Sequence, residues 1–192
     1  MTIEKTKATD TVSSGLTCNT KASEDAKATG LFEIKCHDKD GNLKWEAQSK
    51  NLVVNVGLAY MAGSALTSTT PITTWYLGLY GAASSNNPAA ADTMSSHAGW
   101  TEVVAYSNVT RVAATFVAAT TANPSVVTNT ASPATFNING TTTVGGAFLT
   151  SDSAKSGTAG TLFSAADFGS PGDRSVVNSD TLSVTYTFSL AG

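Results

Sequence analysis

Thr181-Leu-Ser-Val-Thr-Tyr-Thr-Phe-Ser-Leu190 alternates without a fault: Leu182, Val184, Tyr186, Phe188 and Leu190 fall on one side of an extended chain, and Ser183, Thr185, Thr187 and Ser189 on the other. Successive side chains of a strand point to opposite faces, so this stretch predicts a strand with one face buried and the other wet or against a partner. The same period appears in Leu31 to His37, where Phe32, Ile34 and Cys36 share a face. It returns in Leu43 to Ala47 through Leu43, Trp45 and Ala47. Between these two runs stands Asp38-Lys-Asp-Gly-Asn42, and an Asp-Gly pair between alternating segments is a hairpin signal, because glycine supplies the positive φ that the turn needs.

Further strands are expected at Thr74 to Gly81, Glu102 to Tyr106, Arg111 to Ala119, Ser125 to Thr130, Ala134 to Asn139, Thr142 to Thr150 and Arg174 to Val177. Helical spacing occurs once, in Asn51 to Gly63, where Val53, Val56, Tyr60 and Gly63 recur at the right interval and Gly63 is the expected stop. Asp92 is placed to cap a single helical turn ahead of His97. Many short strands with turn residues between them, and no internal repeat, predict an all-β fold: an antiparallel β-sandwich or jelly-roll-like domain with one short helix.

Charge is unevenly spread. Residues 1–50 hold eight lysines and eight acids out of 25 charged residues in the chain, while Val112 to Ser151 contains none. Residues 1–29 are rich in Thr, Ser, Lys, Ala and Asp, with only Ile3, Val12 and Leu16 as sizeable apolar groups, too few to fold alone. The expected organisation is therefore an extended N-terminal arm, 1–29, and a β-sandwich domain, 30–192. In that organisation Ile3, Val12 and Leu16 are the candidate partner contacts. The uncharged stretch makes a poor free surface, and part of it is expected to be covered in a homo-oligomer or by another partner.

Only 13% of the residues are charged, against about 25% in typical soluble domains. A net charge of -3 gives no electrostatic reason to expect nucleic acid or an anionic membrane as partner. The first ten residues carry charge and lack the apolar core of a secretory signal, and no apolar run nears the roughly 18 to 20 residues that span a bilayer, so a soluble product of the host cytoplasm is expected. Cys18 and Cys36 fit no metal spacing and are too few for a disulfide framework; both are expected as thiols.

Reactive chemistry is hard to assemble from this composition. A Ser or Cys nucleophile needs a base, and the only histidines are His37, beside the hairpin turn, and His97, in a Ser-Ser-His-Ala-Gly loop. Glycoside hydrolysis needs two facing carboxylates, yet beyond residue 50 the acids are Asp92, Glu102, Asp152, Asp167, Asp173 and Asp180, each beside a turn or loop-like sequence. Asp38-x-Asp-Gly-Asn42 has its glycine fourth, where an EF-hand loop has it sixth, and reads as a turn. No catalytic residue, cofactor or metal ligand is expected, and the protein is expected to act by contact.

The order Gly41-Asn-Leu-Lys-Trp-Glu, Asn51-Leu-Val-Val-Asn-Val-Gly-Leu, Trp75-Tyr-Leu-Gly-Leu, Ala91-Asp-Thr-Met-Ser-Ser-His-Ala-Gly-Trp-Thr-Glu, Tyr106-Ser-Asn-Val-Thr-Arg, Phe136-Asn-Ile-Asn-Gly, Val144-Gly-Gly-Ala-Phe-Leu and Gly157-Thr-Ala-Gly-Thr-Leu-Phe resembles a family of virion-associated proteins from tailed bacteriophages and prophages. The likeness covers about residues 31–190 and leaves the arm outside. It implies a non-enzymatic structural protein on the virion, first as a head decoration or cement protein on the capsid surface, with the phage major capsid protein as partner. A tail fibre or receptor-binding component is the alternative, encouraged by Trp75, Tyr76, Tyr80 and Trp100, whose rings could stack on sugars or equally fill a core.

Overall fold

The computed structural model describes residues 26–81, 88–168 and 172–192. Its first two strands, β1 (Lys27–His37) and β2 (Leu43–Lys50), form the expected hairpin. Asp38 closes the turn: its carbonyl accepts from the Gly41 amide at 3.0 Å, and its carboxylate accepts from the amides of Asp40 and Asn42, each at 2.9 Å. Gly41 takes φ +84°, a conformation that a β-carbon would strain.

Next come β3 (Leu52–Val53), the helix α1 (Asn55–Leu66), β4 (Tyr76–Tyr80), β5 (Glu102–Val103) and β6 (Val112–Ala113). They are followed by β7 (Ser125–Thr128), β8 (Ala134–Asn137), β9 (Thr142–Val144), β10 (Gly146–Thr150), β11 (Leu162–Asp167), β12 (Arg174–Val176) and β13 (Thr181–Ala191). Two antiparallel sheets face each other. The first runs β2-β1-β13, with β7 and β8 both on the far side of β13; the second runs β3-β11-β10-β4, with β5 and β6 both on the far side of β4. β9 and β12 make a separate two-stranded ribbon.

β13 organises the first sheet. It pairs with β1 over its whole length, from Lys27 opposite Ala191 to His37 opposite Thr181, which brings Phe32 to Tyr186, Ile34 to Val184 and Cys36 to Leu182. All six are buried. Slipping the register by one residue would exchange Leu182, Val184 and Tyr186 for Ser and Thr, forfeiting about 1.5–3 kcal/mol for each large side chain. The alternation thus fixes the pairing.

The second sheet is covered on both faces. Leu77, Leu79, Ala147, Leu149, Phe163 and Ala166 meet the first sheet in the main core, while Tyr80, Phe148, Leu162 and Ala165 point the other way and are covered by Val54, Met94 and Trp100. A sheet buried on both sides loses its alternation and reads as a continuous run of apolar and small residues. β10 and β11 do so: every residue of β10 is buried, and so is every residue of β11 but Asp167.

Several boundaries differ from expectation. β11 was not among the predicted strands, for the reason just given. Val53 belongs to β3, and α1 starts two residues later and runs past Gly63 to Leu66; it stops where Thr67 turns extended at φ -129°, with its amide and hydroxyl both donating to the Gly63 carbonyl. The stretch 111–119 contributes only β6, and 142–150 divides at Gly145 into β9 and β10. Leu43, expected on the apolar face, is 53% exposed, because a register shift at Cys36/His37 places it opposite His37, beyond the end of the core. β1 begins at Lys27, so the last three residues of the expected arm lie in the sheet. Ile3, Val12 and Leu16 lie outside the described residues.

Candidate functional site

The strand order gives the first sheet two unlike margins. At one edge the β1–β2 hairpin carries Lys35, Lys39, Asp40, Lys44 and Glu46, with an exposed Lys35–Glu46 pair at 4.0 Å and a Lys39–Asp40 pair at 2.8 Å. At the other edge stand β7 and β8, which lie within the uncharged stretch Val112 to Ser151; the same stretch also supplies β6 and β10 of the second sheet and β9 of the ribbon. Much of that stretch is at the surface: Thr115, residues 117–124, residues 130–133, Thr135, Asn137, Asn139, Thr141 and Thr143 are exposed. Thr, Ala, Asn and Pro dominate it, with Val117 46% exposed.

This neutral margin is held firmly. The Val117 amide donates to the Thr128 carbonyl at 3.0 Å and the Thr120 amide to that of Val126 at 3.1 Å, so 117–128 folds back on itself beside β13. Between β7 and β8 the ladder to β13 is interrupted, and the side chain of Asn129 fills the gap: Oδ1 accepts from the Tyr186 amide at 2.6 Å, and Nδ2 donates to the Val184 carbonyl at 3.2 Å. Asn129 is fully buried. Sequence reasoning missed it, although an asparagine standing between two runs of alternating residues is the signal that could have found it.

Across the second sheet lies a cleft of about 200 Å³, lined by Met94, His97, Trp100 and Phe148 and rimmed by Ser156 to Thr158. Gly78 makes room for it to be floored by an aromatic ring, since a β-carbon there would come within 2.2 Å of the Phe148 ring. Arg111, a lone charge at the border of the uncharged stretch, is buried beside this cleft. Its Nε and Nη2 donate to the two Glu102 oxygens at 2.9 and 2.8 Å, Nη1 to the Asp152 carbonyl at 2.9 Å, and Nη2 to the Gly157 carbonyl at 2.9 Å. Glu102 also accepts from the Ser156 amide at 2.6 Å. A planar guanidinium so forked ties the 152–157 loop to β5.

The remaining sequence candidates are engaged locally. His97 stacks on Trp100 with ring centroids 3.8 Å apart, and its Nδ1 lies 3.0 Å from the Trp100 carbonyl. Asp92 caps no helical turn. Its carboxylate accepts from the Ala89 amide at 3.0 Å and from Trp100 Nε1 at 3.1 Å, anchoring the cover of the second sheet. Asp180 accepts from Lys44 at 2.5 Å and from the Val177 amide at 2.8 Å. Burial, with Asp173 nearby, raises the Asp167 carboxyl above its usual range. His37 ends β1 at the hairpin, apart from His97 on the far cover.

Tyr80 and Trp100 are core residues, and Trp75 packs edge-on against Phe163 at 5.3 Å. Tyr80 and Trp100 thus offer no free ring face to a sugar, whereas Trp75 and Tyr76 are half-buried. Cys36 is buried, and burial together with Asp180 pushes its thiol up to about 11, which keeps it protonated and unreactive. Among the described residues no group of three or more His, Cys, Asp or Glu is placed to hold a metal, and no helix is long and apolar enough to cross a membrane. Compared with protein-family models, curated proteins and solved structures, the chain matches none.

Proposed function

We propose that the protein is a structural component of a tailed-phage particle: a head decoration protein that binds the outer capsid surface and braces neighbouring capsid subunits. The observation that carries this reading is the neutral margin of the first sheet. Interface centres are depleted of charge, because every charge that is buried must be stripped of water. An exposed, rigid, uncharged edge thus meets a partner at little desolvation cost, while the charged β1–β2 margin stays in water. The sequence likeness to virion proteins points the same way.

Contact is the whole mechanism in this reading, and it needs no cofactor. Each copy contributes modest area, and symmetry on the shell repeats it, so many weak contacts add multivalently. The major capsid protein is the partner, and the residues before β1, with Ile3, Val12 and Leu16, extend the contact to a neighbour.

Cryo-electron microscopy of the parent particle tests the proposal. Density for the two-sheet domain is expected on the shell, with the β7–β8 margin facing the capsid. Copies confined to the tail would instead assign the protein to a fibre or receptor-binding component.

A further inference from the structure

Beside the exit of the arm, the two sheets part to leave an apolar groove of about 200 Å³. Its walls are aromatic: Tyr60 and Trp75 meet edge to face at 5.3 Å, Trp75 and Phe163 at 5.3 Å, and Phe163 and Phe188 at 5.4 Å, while Phe116 approaches Tyr186 at 6.2 Å. Met61 and Val127 stand at its sides. The groove opens next to the place where the described chain begins, since Gly30 pairs with Phe188 and Ala28 packs against the core.

The chain that precedes Lys27 has three sizeable apolar residues, and two of them, Val12 and Leu16, are four positions apart with only Ser-Ser-Gly between. From Leu16 to Lys27 run ten intervening residues, including Lys21, Glu24 and Asp25, a tether suited to water. Extended, it spans ~36 Å, nearly the width of a domain whose radius of gyration is about 15 Å. To enter its own groove, which adjoins Gly30, Leu16 would have to double this tether back on itself. The full span would instead carry Leu16 to the groove of an adjacent copy.

We propose that the aromatic groove of one copy receives the Val12–Leu16 segment of a second copy, with Leu16 as the inserted side chain, so that copies are strapped to one another in series. This deepens the reading of the protein as a multi-copy shell component and rests on it. An aliphatic side chain set among six aromatic rings gains area burial without leaving a polar group unpaired. Straps of this kind close into rings or lattices when symmetry brings arm and groove together.

Disulfide trapping with the purified full chain tests the strap, because Cys18 lies two residues beyond Leu16 and Cys36 is buried out of reach. A copy carrying native Cys18 is mixed under mild oxidation with a size-tagged copy carrying Cys18→Ser and Met61→Cys, or Val127→Cys should the Met61 variant lose its cooperative melt. A cross-linked heterodimer is expected, reduced at least tenfold when the first copy also carries Leu16→Asp. Absence of the heterodimer, or a yield unchanged by Leu16→Asp, overturns the proposal. So does an intramolecular bond in preference to the heterodimer when one chain carries both thiols. No particle enters this assay, so failed shell binding, measured separately with the wild-type chain, would count against the capsid role and not against the strap.

Discussion

The Asn129 side chain lies in the plane of the first sheet and takes the Tyr186 amide at 2.6 Å, supplying with a side-chain oxygen the bond that a neighbouring strand would have made. Asn129 and the 130–133 bend let β7 and β8 share one edge of β13 without leaving a gap in its hydrogen bonding. The neutral margin depends on this splice.

Asn129→Ala should therefore cost about 2–4 kcal/mol, since it strands both the Tyr186 amide and the Val184 carbonyl in the interior. Asn129→Asp keeps the acceptor for Tyr186 but sets a carboxylate against the Val184 carbonyl, and should not rescue. Urea denaturation of the three proteins measures both. A loss below about 0.5 kcal/mol for Asn129→Ala would show that water repairs the gap.

Gly78 and Phe148 should be energetically coupled. Gly78→Ala drives a methyl into the Phe148 ring and should destabilise by about 1–3 kcal/mol. In the Phe148→Leu background the same change should cost distinctly less, giving a non-additive double-mutant cycle. Additive losses would mean that the backbone of β4 yields instead of the ring.

Raising the pH should unfold the domain cooperatively. Burial raises the phenols of Tyr80, Tyr106 and Tyr186 well above their ordinary value near 10, and the Cys36 thiol to about 11 from 9.0. A group whose pKa is higher in the folded chain holds its proton more tightly there, so its contribution is complete below the unfolded value and is lost as pH climbs toward the folded one. Stability should thus begin to fall near pH 9, through Cys36, and fall more steeply above 10. The tyrosinate absorbance of Tyr80, Tyr106 and Tyr186 should rise together with loss of the far-ultraviolet circular dichroism. Ionisation of these three buried phenols with the fold intact would contradict this.

Charges placed on the neutral margin should weaken particle binding without harming the fold. Thr135→Lys and Asn137→Glu alter exposed positions and should leave the melting temperature within a few degrees, yet each should lower shell occupancy at least tenfold if the margin is the contact. Glu46→Lys, on the opposite margin, should change occupancy little. Equal effects at both edges would remove the margin from its proposed role.

How far the sequence discloses this architecture depends on where each element sits. β13 and β1 have one wet face, so their alternation survives in the residue order and gives β13 almost whole and β1 from Leu31 onward. β11 is enclosed by the main core on one side and by the Val54, Met94 and Trp100 cover on the other. Its Leu-Phe-Ser-Ala-Ala-Asp has no polar face to mark a period. Asp92 was expected to cap a helical turn and instead anchors a loop, because its partner, the Trp100 indole, is eight residues away and no local rule connects them. Arg111 shows the same limit: a solitary charge hints at burial, whereas the carbonyls of Asp152 and Gly157 that satisfy it come from a loop some forty residues on.

Because β1, from Lys27, pairs with β13 as far as Ala191, the first sheet is stitched from opposite ends of the sequence. A nascent polypeptide can thus complete the β1–β2 hairpin early but must keep one flank of β1 and the apolar side chains of Phe32, Ile34 and Cys36 waiting until Thr181 and its successors emerge from the ribosome. Premature termination anywhere before that point leaves an open, sticky edge and no sandwich, which makes late nonsense mutations as damaging as early ones.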